Sequence, residues 1–273
     1  MTDQFNHVCK SCGTPFIGLY CNQCGEKIIQ PKDRSFRTLL SGIFLALTFS
    51  ESKFIKSLWL SVVNPGFLSK EFSEGRRVNY LRPLSLFFLL NLVYFLFPII
   101  QLFNASLRTQ LNSLHGKYSV GTIAWKMADL GINDIKSFEL LYDQKTAGLA
   151  KMLVIVFVII VSLPLHLIYR SRNRYFTDHV GLSVELVCFN LFINAILLSL
   201  FVNLFHLGSN LEEWGLTVIL ILTNLYFLLR AGFTFYEDRG IKLVIRSLFM
   251  ILILRISLEL FRTILFYVTI WAL

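Results

Sequence analysis

Charge is scarce in this chain: 16% of its 273 residues are Asp, Glu, Lys or Arg against 55% hydrophobic, which excludes an ordinary water-soluble surface. Catalytic signatures are missing as well. The sequence has no HExxH metalloprotease motif, no G-x-S-x-G elbow, no phosphate-binding glycine loop and no dinucleotide fingerprint, so nothing in it requires an enzyme. Met1 to Lys32 also lacks the apolar core of a cleavable signal peptide. The N-terminus is therefore expected to be retained, with the first span acting as the insertion signal.

What is abundant is apolar sequence in long uninterrupted runs, including 26 Phe, the pattern of helices that are apolar on all sides. The fold class expected is an all-α polytopic membrane protein. A spanning helix needs about 20 apolar residues. Five segments reach that length: Pro83–Phe103, Lys151–Tyr169, Leu182–Phe205, Leu216–Tyr236 and Leu243–Leu273. They form a bundle over residues 83–273. Residues 31–82 precede it as amphipathic interfacial helices, and 1–30 form a separate small unit. Leu39–Phe49 has about half the length of a span and is expected to be interfacial or re-entrant. In the helix that follows, Phe54, Leu58 and Val62 share a face, Ser50 is a cap and Asn64-Pro65-Gly66 a stop.

The net charge of +9 raises the question of nucleic acid, but the basic residues cluster in alternate connections and are not interleaved with exposed aromatics. Nucleic acid is not an expected partner; membrane lipid is. Eleven Lys and Arg precede the first span, Arg170, Arg172 and Arg174 join the second to the third, and Arg230, Arg239, Lys242 and Arg246 flank the fourth connection. The third-to-fourth connection has Glu212 and Glu213 and no Lys or Arg. This alternation places the N-terminus in the cytoplasm and Leu273 outside. A sixth span would put the N-terminal cysteines in an oxidising compartment, which their thiolate chemistry opposes. Residues 104–150 then face outward. Leu107, Leu111, Leu114 and Tyr118, then Ile123, Met127 and Leu130, recur at helical spacing, as either a packed cap or a ligand-binding lid.

The most specific motif is a pair of C-x2-C-G knuckles, Cys9 to Gly13 and Cys21 to Gly25, with eight residues between the pairs. Two residues between cysteines aim both thiolates at one ion, and each glycine supplies a positive-φ turn. Cys9, Cys12, Cys21 and Cys24 thus form a closed tetrahedral site for one structural zinc. Four thiolates leave no position for a reactive water. The ribbon is either a structural plug or a protein-docking knob. Cys188, alone in the third span, reads as a small core residue.

Beyond the ribbon, Arg76, Arg77, Tyr80 and Arg82 stand just before the first span, either to anchor it among lipid phosphates or to form an anionic-headgroup site. Inside the membrane, Arg255, Glu259 and Arg262 recur one turn apart, and Glu185, Asn190, Asn194 and Asn224, with Asn91, are candidates to line the same interior. The alternatives are structural ion pairs and hydrogen-bonded glue, or a transport pathway. Asp178-His179 is the one neighbouring acid–histidine pair, although adjacent helical residues diverge.

The paired knuckles at Cys9 to Gly25, the stretch from Asn64-Pro65-Gly66 to Gly75-Arg76-Arg77, Tyr80 and Pro83, and Tyr175-Phe176-Thr177-Asp178-His179 together resemble an uncharacterised family of bacterial membrane proteins, domain of unknown function 3667. Asp178 stands where that pattern often has glutamate. The resemblance implies a bacterial inner membrane and a zinc ribbon joined to a helical bundle, and no activity. The function expected is a membrane scaffold or adaptor whose ribbon binds a protein partner or anionic lipid. The alternative is a transporter of small solutes or lipids that uses the intramembrane charges.

Overall fold

The computed structural model describes residues 7–28, 51–96, 102–112, 116–170, 174–205 and 213–273. The segment Leu39–Phe49, the cap position Ser50, and Leu114, Arg172 and Glu212 lie outside them. Two short strands, β1 (His7–Val8) and β2 (Pro15–Phe16), pair antiparallel; every other element is helical.

Helix α1 (Glu51–Val63) stops where Asn64-Pro65-Gly66 begins. It turns Phe54, Leu58 and Val62 to the core and leaves Ile55 and Trp59 exposed. Helix α2 (Phe67–Glu74) starts after Gly66 (φ 83°) and ends at Gly75 (φ 94°). Gly75 and Arg76 donate back to the Phe72 and Glu71 carbonyls at 3.3 and 2.9 Å, a Schellman closure that requires a left-handed residue at Gly75. Gly66 is equally constrained: a Cβ there would stand 3.0 Å from Ala231 Cα.

Helix α3 (Pro83–Leu96) opens on a proline, which has no N–H to leave unpaired. It is followed by α4 (Leu107–Leu111), α5 (Gly116–Asp129) and α6 (Ile135–Ile168). Asp134 caps α6 by accepting from Lys136 and Ser137 N–H at 3.3 and 3.0 Å, and the Ser137 hydroxyl at 2.9 Å, followed by these amides, holds its carboxyl below the usual range. The helix thus begins 16 residues before the span Lys151–Tyr169 read from hydropathy. Hydropathy cannot see this, because a cap and polar first turns extend a helix without making it apolar. Leu107, Ile123, Phe138, Tyr142, Phe266 and Ile270 pack together, so α4, α5 and the first turns of α6 close as a cap against the end of the last helix.

Helix α7 (Phe176–Phe189) continues through a π-helical segment (Asn190–Leu197) into α8 (Leu198–Leu204), and is followed by α9 (Glu213–Thr234) and α10 (Gly240–Ala272). The π segment begins at Asn190, whose Nδ2 donates to the Leu186 carbonyl at 3.0 Å and competes with the regular ladder. Helix α7 is the centre of the molecule. Leu182 to Phe189 are all buried, against α3, α6, α2 and α1.

Among the described residues, three helices are long and apolar enough to cross a membrane: Ile135–Ile168, Phe176–Leu204 and Trp214–Thr234. The sequence reading counted five. Within the described residues α3 is a shorter apolar helix, Pro83–Leu96. Helix α10 has the length, 33 residues, but Arg255, Glu259 and Arg262 break its apolar run.

Candidate metal centre and polar clusters

The two knuckles are built alike. Cys9 N–H donates to Thr14 O at 2.9 Å and Gly13 N–H to Cys9 O at 2.9 Å; Cys21 N–H donates to Glu26 O at 2.7 Å and Gly25 N–H to Cys21 O at 2.9 Å. Both glycines have φ 75°, which a side chain would strain. The four Sγ atoms lie within 4.8 Å of one another. Cys9 and Cys24 are 3.5 Å apart and Cys12 and Cys21 3.6 Å. Disulfide sulfurs would be about 2 Å apart, whereas a tetrahedron with metal–sulfur bonds of about 2.3 Å has edges of about 3.8 Å. The donor set therefore fits one tetrahedral thiophilic ion, and all four ligands named from the sequence meet there.

As thiols Cys12 and Cys24 are unequal. The Thr14 hydroxyl and amide lower Cys12 to about 6. At Cys24 the Glu26 amide favours the thiolate, but desolvation and the neighbouring thiols win and push it up to about 12. A divalent cation removes that conflict, since each thiolate then faces positive charge.

Glu26, which sequence reasoning missed, joins the ribbon to the bundle. Its carboxylate is 6% exposed; it accepts from Ser11 Oγ at 2.6 Å and from the backbone N–H groups of Arg77 and Val78 at 3.0 and 3.2 Å. A cleft of about 210 Å³ lies at this junction, lined among others by His7, Lys10, Lys27 and Glu74. Charged hydrogen bonds of this kind contribute about 1.5–3 kcal/mol each. Glu26→Ala is accordingly expected to speed amide exchange at Arg77 and Val78 by about 10- to 100-fold; unchanged exchange would show that the carboxylate does not hold the junction.

The arginines ahead of α3 are engaged within the chain. Arg76 is bound by Glu71 and by Glu74 at 2.5 Å, and the Glu71 hydrogen bond raises its pKa further. Arg77 stacks 4.1 Å over the Phe72 ring, and Tyr80 meets Phe67 edge-on with Lys56 over its face. Arg82 is half-buried, and its carbonyl accepts from Leu86 N–H at the start of α3. The Arg76 charge is thus answered by two carboxylates of the preceding helix α2.

Asp178 and His179 separate as the helical geometry dictates. Asp178 caps α7, accepting from Tyr175 N–H at 3.0 Å, while His179 is fully buried with Nδ1 2.6 Å from Tyr236 Oη. They do not form a proton-transfer dyad. The His179 ring instead lies 5.0 Å from that of His166, and Tyr236 stacks on Tyr169 at 3.6 Å.

The polar residues expected to line one interior fall into distinct groups. Glu185, fully buried, accepts from Gly66 N–H and Ser69 N–H at 2.9 Å each and from Ser69 Oγ at 2.5 Å. It therefore ties the start of α2 to α7. Asn190, Asn194, Asn224 and Thr223 bond to one another across α9 and the π segment. Asn91 donates to the Lys151 carbonyl at 3.0 Å. On α10, Glu259 lies 3.0 Å from Arg255 and 3.6 Å from Arg262, and the Arg255 side chain is exposed, contrary to the expected inward direction.

No curated protein and no solved structure matches the chain. Residues 51–95, which span α1, α2 and nearly all of α3 and include the amides that Glu26 and Glu185 grip, match the family model described as Protein of unknown function (DUF3667), the family whose motifs the sequence resembles.

Proposed function

We propose that this chain is a membrane scaffold whose metal-bound ribbon, on the cytoplasmic face of a bacterial inner membrane, presents a docking surface to a protein partner. One observation carries the reading. Val8, Ile17, Leu19 and Tyr20 are exposed apolar side chains on a ribbon that Glu26 seats firmly against the α2–α3 turn. A fixed position and an apolar outer face are what a docking knob needs and a simple plug does not.

Orientation is supported by the basic loops. Arg174 donates to Ser73 Oγ at 3.0 Å and Lys70 pairs with Glu237 at 2.7 Å, so the connections rich in Lys and Arg gather at the ribbon's end. The four-thiolate set favours zinc. Anionic lipid is a weaker candidate at this turn, because Arg76 is already neutralised. A transporter also finds less support, because Glu185, the asparagines and Arg255 are each bonded within different sets.

Native mass spectrometry of protein released from its own membrane tests this. One zinc and one stoichiometric protein partner are expected, the partner being lost in Tyr20→Ser with zinc and bundle retained. A partner unaffected by Tyr20→Ser, or only a bound lipid or solute, would reject the ribbon as the docking surface.

A further inference from the structure

Three charged residues of α10 gather toward the end of the span that lies away from the ribbon. Helix α6 carries no Asp, Glu, Lys or Arg from Met152 to Ile168, about 25 Å of helix. Lys151 precedes that run with its Nζ 3.2 Å from the Phe95 carbonyl, so it marks the far edge of the hydrocarbon. Helix α10 runs antiparallel to α6: Arg246 lies 5.3 Å over the Tyr169 ring and Thr269 Oγ1 donates to Thr146 Oγ1 at 3.2 Å, a register that sets Lys151 level with Ile264. Arg262 therefore stands near that edge, with Glu259 and Arg255 one and two turns deeper. The Arg255 side chain reaches back toward the edge, its Nη2 3.0 Å from Glu259 Oε1, and Arg262 Nη1 lies 3.6 Å from the same oxygen. Two guanidiniums thus share one carboxylate, and the cluster keeps a net positive charge. The Arg255 side chain is 66% exposed, and Arg262 Nε is buried with no acceptor among the described residues. A guanidinium at this depth is costly unless an anion answers it.

We propose that Arg255 and Arg262 hold the phosphate of a phospholipid from the leaflet away from the ribbon. A phosphate diester supplies what the cluster lacks. It is an anion whose paired oxygens accept the parallel N–H groups of a guanidinium, and its charge cancels the one that Glu259 leaves unanswered. The surface beside the cluster suits the rest of such a molecule: Leu248, Leu252 and Ile256 are exposed apolar side chains on the deeper turns, where acyl chains lie. A free phosphate ion would gain nothing from that apolar surface, and a lipid without phosphate would leave the charge unanswered. Arg262 is held in place for this role, because its Nη2 lies 3.4 Å from the Leu102 carbonyl. Glu259 keeps the two guanidiniums together and competes with the phosphate for them.

Native mass spectrometry of the full chain in detergent tests the site, with separate titrations of phosphatidylglycerol, diacylglycerol with the same acyl chains, and inorganic phosphate. Phosphatidylglycerol is expected to bind about tenfold more tightly than either of the others. Arg255→Gln should weaken it about fivefold. Arg108→Gln, which removes the same charge from an exposed position on α4, should leave it unchanged. Glu259→Gln removes the competing carboxylate and should tighten binding about threefold, a gain that a damaged bundle would not give. Equal binding of diacylglycerol, preference for inorganic phosphate, equal losses in Arg255→Gln and Arg108→Gln, indifference to Arg255→Gln, or no gain in Glu259→Gln would overturn the proposal.

Discussion

Cys9→Ser combined with Cys12→Ser is expected to unfold residues 7–28 while the helices remain in place. Little else holds this unit. Its buried apolar residues are Cys9, Phe16 and Cys21, two of them metal ligands, and its sheet is two residues wide on each strand. A segment of that size cannot fold on its own core. Structural zinc supplies about 10–16 kcal/mol of apparent binding free energy in zinc-finger peptides near neutral pH, and a metal ion held by these four thiolates would supply the folding energy of the ribbon in the same way. The result to look for is metal content falling from one ion to none, rapid proteolysis within 7–28, and unchanged helical circular dichroism. Chelation should reproduce it. Acidification should weaken metal retention as well, since the ligands are thiolates and protons compete for them as pH falls. A ribbon that resists proteolysis without metal would contradict the structural role assigned to the site.

The second large effect is expected at Glu185. A buried donor left without its acceptor costs about 1–3 kcal/mol, and Glu185→Ala would strand Gly66 N–H, Ser69 N–H and Ser69 Oγ together. With about 2–4 °C per kcal/mol for a chain of this size, the midpoint of thermal unfolding in detergent should fall on the order of 10 °C. Ser69→Ala, which removes one donor and leaves the carboxylate two backbone partners, should cost about 1 kcal/mol. The comparison discriminates. If both variants lost the same small amount, the carboxylate would not be the clamp between α2 and α7. The position of Glu185 explains why the effect extends beyond one contact: the carboxylate faces the N-terminal amides of α2, where the helix dipole favours negative charge. Those amides begin at Gly66, where a Cβ would stand 3.0 Å from Ala231 Cα.

Much of this architecture was legible because it is local. The C-x2-C-G spacing dictates a turn and a positive φ within five residues, so Cys9, Cys12, Cys21 and Cys24 were identified as one site before any coordinates. Asn64-Pro65-Gly66 stopped α1 as read, and the apolar runs located the three helices able to cross a membrane. Of the other two expected spans, α3 is an apolar helix described from Pro83 to Leu96, and α10 has the length of a span while carrying Arg255, Glu259 and Arg262.

The bonds that organise the molecule join distant positions, and nothing in a linear pattern reveals them. Glu185 meets Ser69 across 116 residues, Glu26 meets Arg77 across 51, and His179 meets Tyr236 across 57. In two places the tertiary structure assigns partners that residue type leaves open. Asp178 and His179, adjacent in sequence, were separated by the 100° helical step into a cap and a buried ring. Arg76, basic and beside the membrane, was taken up by Glu71 and Glu74. The sequence by itself determined the membrane-helical class, the four ligands and the turns around them, because these follow from composition and from geometry within a few residues. Only the tertiary structure decided which buried carboxylate clamps α2, how the ribbon is seated and which face of α10 remains open, because each depends on which helices pack side by side.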